Sequence, residues 1–97
     1  MSQYAKYLIC YDVESDRKRR KLFDSLKDIG LVPIQKSVFY GDLKPPEFRD
    51  MKKSVAALLD EGDRCLWIQC TLPVDLVRTC PGYEHFSYIE PDQHDFI

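Results

Sequence analysis

Asp12 closes a nearly continuous apolar run, Tyr7-Leu8-Ile9-Cys10-Tyr11, and so places a carboxylate where a buried strand reaches a sheet edge. A hard divalent cation such as Mg²⁺ takes oxygen ligands and is often held by only one or two protein carboxylates, with water in the remaining positions. One chain offers one aspartate at this place. A two-fold axis near the strand end would supply a second copy and make a metal site shared between subunits. Taken alone, Asp12 could equally cap the turn that follows it.

Five cations follow in succession, Arg17-Lys18-Arg19-Arg20-Lys21, in what reads as the first turns of a helix. A helix N-terminus carries partial positive charge, so cations are disfavoured there by about 0.3–1 kcal/mol each at low salt. A solvated helix face, partly neutralised by Glu14, Asp16 and Asp24, is one account of the run. The other is a phosphate site, because unfilled backbone N–H groups and nearby cations together attract anions.

The elements that must position these residues follow from the apolar pattern. Tyr4 to Val13 reads as a strand. Ser15 or Asp16 can cap a helix whose stripe is Leu22, Phe23, Leu26 and Ile29, stopped by Gly30. Leu31 to Leu43 is extended, as one bent strand or as two short strands joined around Gln35 to Ser37. Pro45 and Pro46 start a second helix, with Phe48, Met51, Val55, Leu58 and Leu59 at helical spacing until Gly62. Cys65 to Leu72 is strand-like and ends at Pro73; Pro81-Gly82 marks a turn, and Phe86 to Ile89 could form one more strand before a tail with Asp92 and Asp95. With two middle strands, the order is the split βαβ pattern of ferredoxin-like α+β folds.

A chain of 97 residues, 44% hydrophobic and 31% charged, fits one domain. So short a chain buries a modest fraction of its surface, and oligomerisation is expected. No apolar run approaches the roughly 20 residues that span a bilayer, and the N-terminus lacks a signal-peptide layout, so a cytoplasmic protein with no membrane partner is expected. Cys10, Cys65, Cys70 and Cys80 are expected to be reduced and mostly buried. The net charge of −2 averages two unlike halves: residues 1–53 carry 12 Lys and Arg against 8 Asp and Glu, residues 54–97 only 2 against 8. The basic half is the one that a nucleic acid would meet.

The strand-end YLICYDV (Tyr7 to Val13), the basic helix start and above all GLVPIQKSVFYG (Gly30 to Gly41) resemble, in combination, the CRISPR-associated endoribonuclease family, the second core protein of spacer acquisition. The resemblance spans residues 5 to 72. It implies a ferredoxin-like βαββαβ sandwich over residues 1–80, with residues 81–97 adding a C-terminal strand and tail that complete a homodimer. It implies Asp12 as the metal-ligand position, with Mg²⁺ as cofactor. Tyr11 is its strand-end neighbour, and Ser37 and Phe39 are signature residues near the dimer's active cleft, so that Asp12, Tyr11, Ser37 and Phe39 make the expected catalytic set. Arg19 and Lys21 best match the family's helix-borne cations, with Arg17 and Arg20 as near alternatives and Lys36 beside them for nucleic-acid binding. Where many relatives have an arginine two residues before the signature glutamine, this chain has Pro33, so one phosphate contact that the resemblance implies is missing or supplied from elsewhere.

The function so implied is metal-dependent cleavage of phosphodiester bonds in RNA or DNA within CRISPR adaptation, alongside an integrase partner. The alternatives are a scaffold that bridges integrase subunits and duplex DNA without chemistry, and a ferredoxin-like ribonuclease toxin related to the virulence-associated D family. Other candidates are weaker. Cys65 and Cys70 lack the spacing of a zinc knuckle, His85 and His94 sit in an acidic stretch, and Trp67 and Tyr40 suit core packing better than base stacking.

Overall fold

A computed structural model of the chain describes residues 3–91. It contains β1 (Ala5–Asp12), α1 (Asp16–Asp28), β2 (Val32–Gln35), β3 (Val38–Leu43), α2 (Pro45–Leu58), β4 (Arg64–Gln69) and a short α3 (Val74–Val77). The sheet order is β2-β3-β1-β4, with every neighbouring pair antiparallel. Each helix crosses over one strand, α1 over β3 and α2 over β1, which is the ferredoxin-like α+β arrangement.

Local chemistry explains the helix ends. The Ser15 hydroxyl accepts a hydrogen bond from the Lys18 amide at 3.2 Å and caps α1. At the other end the Gly30 amide donates to the Lys27 carbonyl and the Leu31 amide to the Leu26 carbonyl, a Schellman closure made possible by Gly30 at φ 102°. In α2, Pro45 and Pro46 occupy the first positions, where no intrahelical N–H is needed, and the Glu47 carboxylate accepts from the Lys44 amide at 2.7 Å. α2 ends at Leu58, before the expected stop at Gly62.

The hairpin between β2 and β3 settles the sequence's open alternative in favour of two strands. Ser37 sits at φ 64°, in the left-handed region, and the register shifts between Pro33 and Gln35. Pro33 is tolerated because β2 is an edge strand. Gly41 is required by close approach: a Cβ there would lie 3.0 Å from Leu31 Cδ2 and 3.3 Å from the Leu31 backbone.

One face of the sheet is covered by the helices. Ile9, Tyr11, Phe39 and Leu43 point into a core completed by Leu22, Leu26, Met51 and Val55. Tyr7 stacks on Phe48 with ring centres 4.6 Å apart, and Trp67 meets Phe48 edge-on, so both aromatics are packing residues. The opposite face carries Lys6, Leu8, Cys10, Asp12, Val38, Tyr40, Asp42, Arg64, Leu66 and Ile68, because residues opposed in an antiparallel pair share a face.

Part of that second face is covered by the chain's own C-terminal segment. Tyr88 donates to the buried Asp42 at 2.7 Å and packs edge-on against Tyr40; Lys6 bridges Asp42 at 3.2 Å and Glu90 at 2.5 Å. The Tyr83 hydroxyl shares its proton between the Gln35 side-chain oxygen at 2.6 Å and the Ile34 carbonyl at 3.1 Å. Phe86 to Ile89, expected as a strand, is irregular in the single chain, and no strand follows β4 among the described residues. Tyr88 and Glu90 hold this segment through their side chains, and it joins neither edge of the sheet. Asp92, His94 and Asp95 lie outside the described residues. The four cysteines are free; Cys10, Cys65 and Cys70 are half-buried, while Cys80 is exposed, contrary to the expected burial.

Candidate nucleic-acid and metal site

Strand β1 ends between two different surfaces. On the helix side lies a pocket of about 540 Å³ lined by Tyr11, Asp16, Arg19, Arg20, Phe23, Lys36 and Ser37. On the opposite side lies an open groove lined by Cys10, Tyr11, Asp12, Asp63, Arg64, Cys65 and Leu66. Tyr11, Arg19, Arg20, Lys36 and Ser37 are thus brought together, and Asp12 is kept on the other side of the strand. Arg17 and Lys21 are exposed on α1 and do not line the pocket.

The pocket is built from α1 and the β2–β3 turn. The Tyr11 amide donates to the Ser37 carbonyl at 3.0 Å, which fixes the turn against the strand end. Burial pushes the Tyr11 phenol above its ordinary pKa; the Arg19 charge pulls it down, Cys65 pushes it up, and hydrogen bonding with Ser37 pulls it down. The net shift is upward, so Tyr11 is a neutral hydrogen-bonding phenol at neutral pH. Arg19 is held by Asp16 through one terminal nitrogen and donates from the other to the Val13 carbonyl at 2.8 Å. Its guanidinium is therefore oriented before any ligand arrives.

Phe39 is fully buried, with its ring 5.2 Å from that of Phe23 and 6.3 Å from that of Tyr11. It lies behind the Tyr11 and Phe23 rings, which line the pocket, and is not itself exposed. Lys18, the one residue of the basic run not singled out in the sequence, pairs with Asp60 at 2.5 Å and ties α1 to the loop before β4.

Asp12 is exposed and stands opposite Arg64 in the strand register. No ion pair involves it among the described residues, so its oxygens face solvent. Next to it, Asp63 accepts from the Glu14 amide at 3.1 Å and the Asp60 amide at 2.9 Å, and these bonds hold its carboxyl below the usual carboxylate range. Both Asp63 oxygens are spent on the backbone, which locks the strand end but leaves Asp12 as the groove's available carboxylate. Among the described residues no cluster of three or more His, Cys, Asp or Glu forms a metal cage. Asp12 has the carboxylate chemistry that a hydrated divalent ion takes as one of few protein ligands.

Sequence reasoning missed Asp16 and Phe23 as pocket walls and Asp63 and Arg64 as neighbours of Asp12. The pairing of strand ends carries the signal for Arg64; the Asp63 hydrogen bonds depend on a loop whose path the sequence does not specify.

A ferredoxin-like α+β sheet with a cation-lined pocket on one side of its first strand's end and an exposed aspartate on the other defines the class of this small protein. The chain belongs to the CRISPR associated protein Cas2 family, whose model matches residues 5–72. A Chloroflexus aurantiacus protein named CRISPR-associated endoribonuclease Cas2 1 is 37% identical over 84 residues, covering 80% of this chain and 89% of its own length. A Desulforudis audaxviator CRISPR-associated endoribonuclease Cas2 is 47% identical over 38 residues, but this match spans only 39% of this chain and 36% of that protein. Among solved structures, Streptococcus pyogenes Cas2 at pH 6.5 superimposes with a TM-score of 0.61 and 26% identity over 68% of this chain and 86% of its own. No helix among the described residues is long and apolar enough to cross a membrane.

Proposed function

We propose that the chain is a cytoplasmic, homodimeric, Mg²⁺-dependent endonuclease of CRISPR adaptation that cleaves phosphodiester bonds of RNA or DNA and works beside an integrase. The observation that carries this reading is the exposed, unpaired Asp12 at the end of β1, on the sheet face that the helices leave uncovered. Leu66 and Ile68, 56% and 46% exposed on that same face, supply the apolar surface through which a second copy would bring its own Asp12 alongside. In this dimer the segment after β4 would leave its own sheet face and add a strand to the partner's sheet; the part of it beyond Pro91 lies outside the described residues. The names of the related endoribonucleases support the chemistry.

The two Asp12 carboxylates would hold the ion. Its chemistry, when bound, is to polarise the scissile phosphate and lower the pKa of water. The chain's own residues do the positioning: Arg17, Arg20 and Lys21 meet the backbone by charge, Arg19 and Lys36 fix phosphates at the pocket, and Tyr11 with Ser37 offers hydroxyls. Phe39 holds the Tyr11 ring from below.

A second reading is a catalytically silent scaffold that binds duplex DNA between integrase subunits. It is favoured by the exposed cations Arg17, Arg20 and Lys21 along α1, which can meet a duplex backbone without a metal. Phosphate contacts alone suffice for it and carry no sequence information. Labelled RNA and duplex DNA incubated with and without Mg²⁺ separate the two. Light scattering should give a dimer, with an interface above about 1,000 Å², and Leu66→Glu should yield monomer by setting like charges across it. Monomeric wild type at micromolar concentration counts against both readings.

A further inference from the structure

The pocket beside α1 holds more positive charge than one internal phosphodiester needs. Arg19, Arg20 and Lys36 bring three cations, and Asp16, paired to Arg19, removes one, which leaves a balance of +2. An internal phosphodiester carries a single negative charge, whereas a phosphomonoester carries about −1.5 to −2 at neutral pH and presents three strong acceptor oxygens. The donors agree with the second description, since the Ser37 hydroxyl and the Tyr11 phenol, hydrogen-bonded to each other, stand among the cations and leave one O–H for a further acceptor. The shape agrees with it too. The cations converge from α1 on one side and from the β2–β3 turn on the other, around a volume of about 540 Å³ with Phe23 as an apolar wall. That volume is of small-ligand size. A continuous backbone running along a ridge would meet such a pocket at one point only, while a strand end can enter it.

We infer that this pocket receives the phosphomonoester at the end of a nucleic-acid strand, so that the protein distinguishes phosphorylated from hydroxyl ends. The inference rests on the nucleic-acid reading above and adds to it the form of nucleic acid that the helix side of β1 selects. Arg19 is fixed in advance by Asp16 and the Val13 carbonyl, so binding sacrifices little side-chain freedom. Arg20 and Lys36 are exposed and close on the phosphate from the two sides.

The test is fluorescence anisotropy with one single-stranded oligonucleotide carrying a 5′-phosphate, a 3′-phosphate or hydroxyls at both ends, at fixed salt. One phosphorylated form should bind roughly tenfold more tightly than the hydroxyl form, the effect of one added charge-assisted hydrogen bond. Inorganic phosphate in millimolar excess should erase the difference. Arg20→Gln combined with Lys36→Gln should weaken every strand through the loss of two cations but bring phosphorylated and hydroxyl-ended strands to the same affinity, and Lys53→Gln, an exposed cation on α2 away from the pocket, should leave the difference intact. Equal affinity for all ends, or a preference that survives the double variant, would overturn this inference alone. Failure of every oligonucleotide to bind would overturn the nucleic-acid reading together with it.

Discussion

The backbone amide of Tyr11 donates to the carbonyl of Ser37 at 3.0 Å, so the end of the first strand and the tip of the β2–β3 turn form one unit at the pocket mouth. Ser37 makes this hydrogen bond from φ 64°, a conformation that costs an ordinary L-residue about 1–2 kcal/mol. Ser37→Gly relieves that cost but adds chain freedom to the unfolded state, so its stability should stay within about 1 kcal/mol of wild type. Ser37→Val, branched at Cβ, should be less stable by about 2 kcal/mol. Urea denaturation measures both, and equal stability of the Gly and Val variants would show that the turn relaxes out of the left-handed region.

Acid should loosen the other side of β1 through Asp63. Hydrogen bonds from the Asp60 and Glu14 amides lower its pKa in the folded state below the ordinary 3.8. The folded chain therefore binds this proton less readily than the unfolded chain. Its stabilisation is fully present above pH 3.8 and is lost as pH falls through the depressed value. Asp63→Ala should flatten the acid limb of the stability curve below that pH, and an unaltered limb in urea titrations would contradict the assignment.

The parts of this molecule legible from sequence are those set by local chemistry. Ser15, one of two cap candidates, Gly30 as stop and the paired prolines before α2 each act within one turn of chain, and the structure decides for Ser15 and places the others as read. The nearly continuous apolar run of β1 offered no such guide: it grouped Tyr11 with Asp12, which the structure puts on opposite faces of the strand. The turn around Gln35 to Ser37 stood only as one of two alternatives, because a serine in the left-handed region gives none of the signals that Gly or Asn would give. The path of residues 83–90 escaped for a different reason. It is held by Tyr83, Tyr88 and Glu90 to partners more than forty positions earlier, and neither periodicity nor turn residues encode such pairs. The basic run was legible as a run but not as a pocket. Its division into Arg19 and Arg20 inside, Arg17 and Lys21 outside, and Lys18 paired to Asp60 depends on the rotation of α1 against the hairpin.

That division makes a salt-titration prediction. Each duplex-DNA phosphate that a variant no longer neutralises takes about 0.9 off the slope of log affinity against log salt. Arg20→Ala should lower the slope by about that amount and leave thermal stability unchanged, because Arg20 is exposed. Arg19→Ala should lower the slope similarly but also destabilise the fold, since it releases Asp16 and the Val13 carbonyl. Replacing Arg17, Arg19 and Arg20 together should flatten the salt dependence most. An unchanged binding constant at low salt in the triple variant would reduce these cations to a solvated face.

Asp12 separates catalysis from architecture, and two substitutions together do this better than either alone. Asp12→Asn keeps the size of the side chain and removes the charge that a divalent ion needs. The Asp12 oxygens make no ion pair among the described residues, so neither this variant nor Asp12→Ala should alter folding or dimerisation appreciably. A turn cap behaves otherwise: its loss on substitution by Ala costs about 0.5–2 kcal/mol, which a thermal melt reads directly. Mg²⁺-dependent cleavage should vanish in both variants, while nucleic-acid binding is retained or rises as repulsion between carboxylate and phosphate is removed. Mixing wild-type and Asp12→Asn subunits tests the shared site: if both carboxylates are needed, heterodimers are inactive and activity falls with the square of the wild-type fraction. A linear fall would assign the metal to a single subunit. Full cleavage by a contaminant-free Asp12→Asn preparation would remove Asp12 from the chemistry altogether, and no cleavage by the wild type would transfer the case to the scaffold.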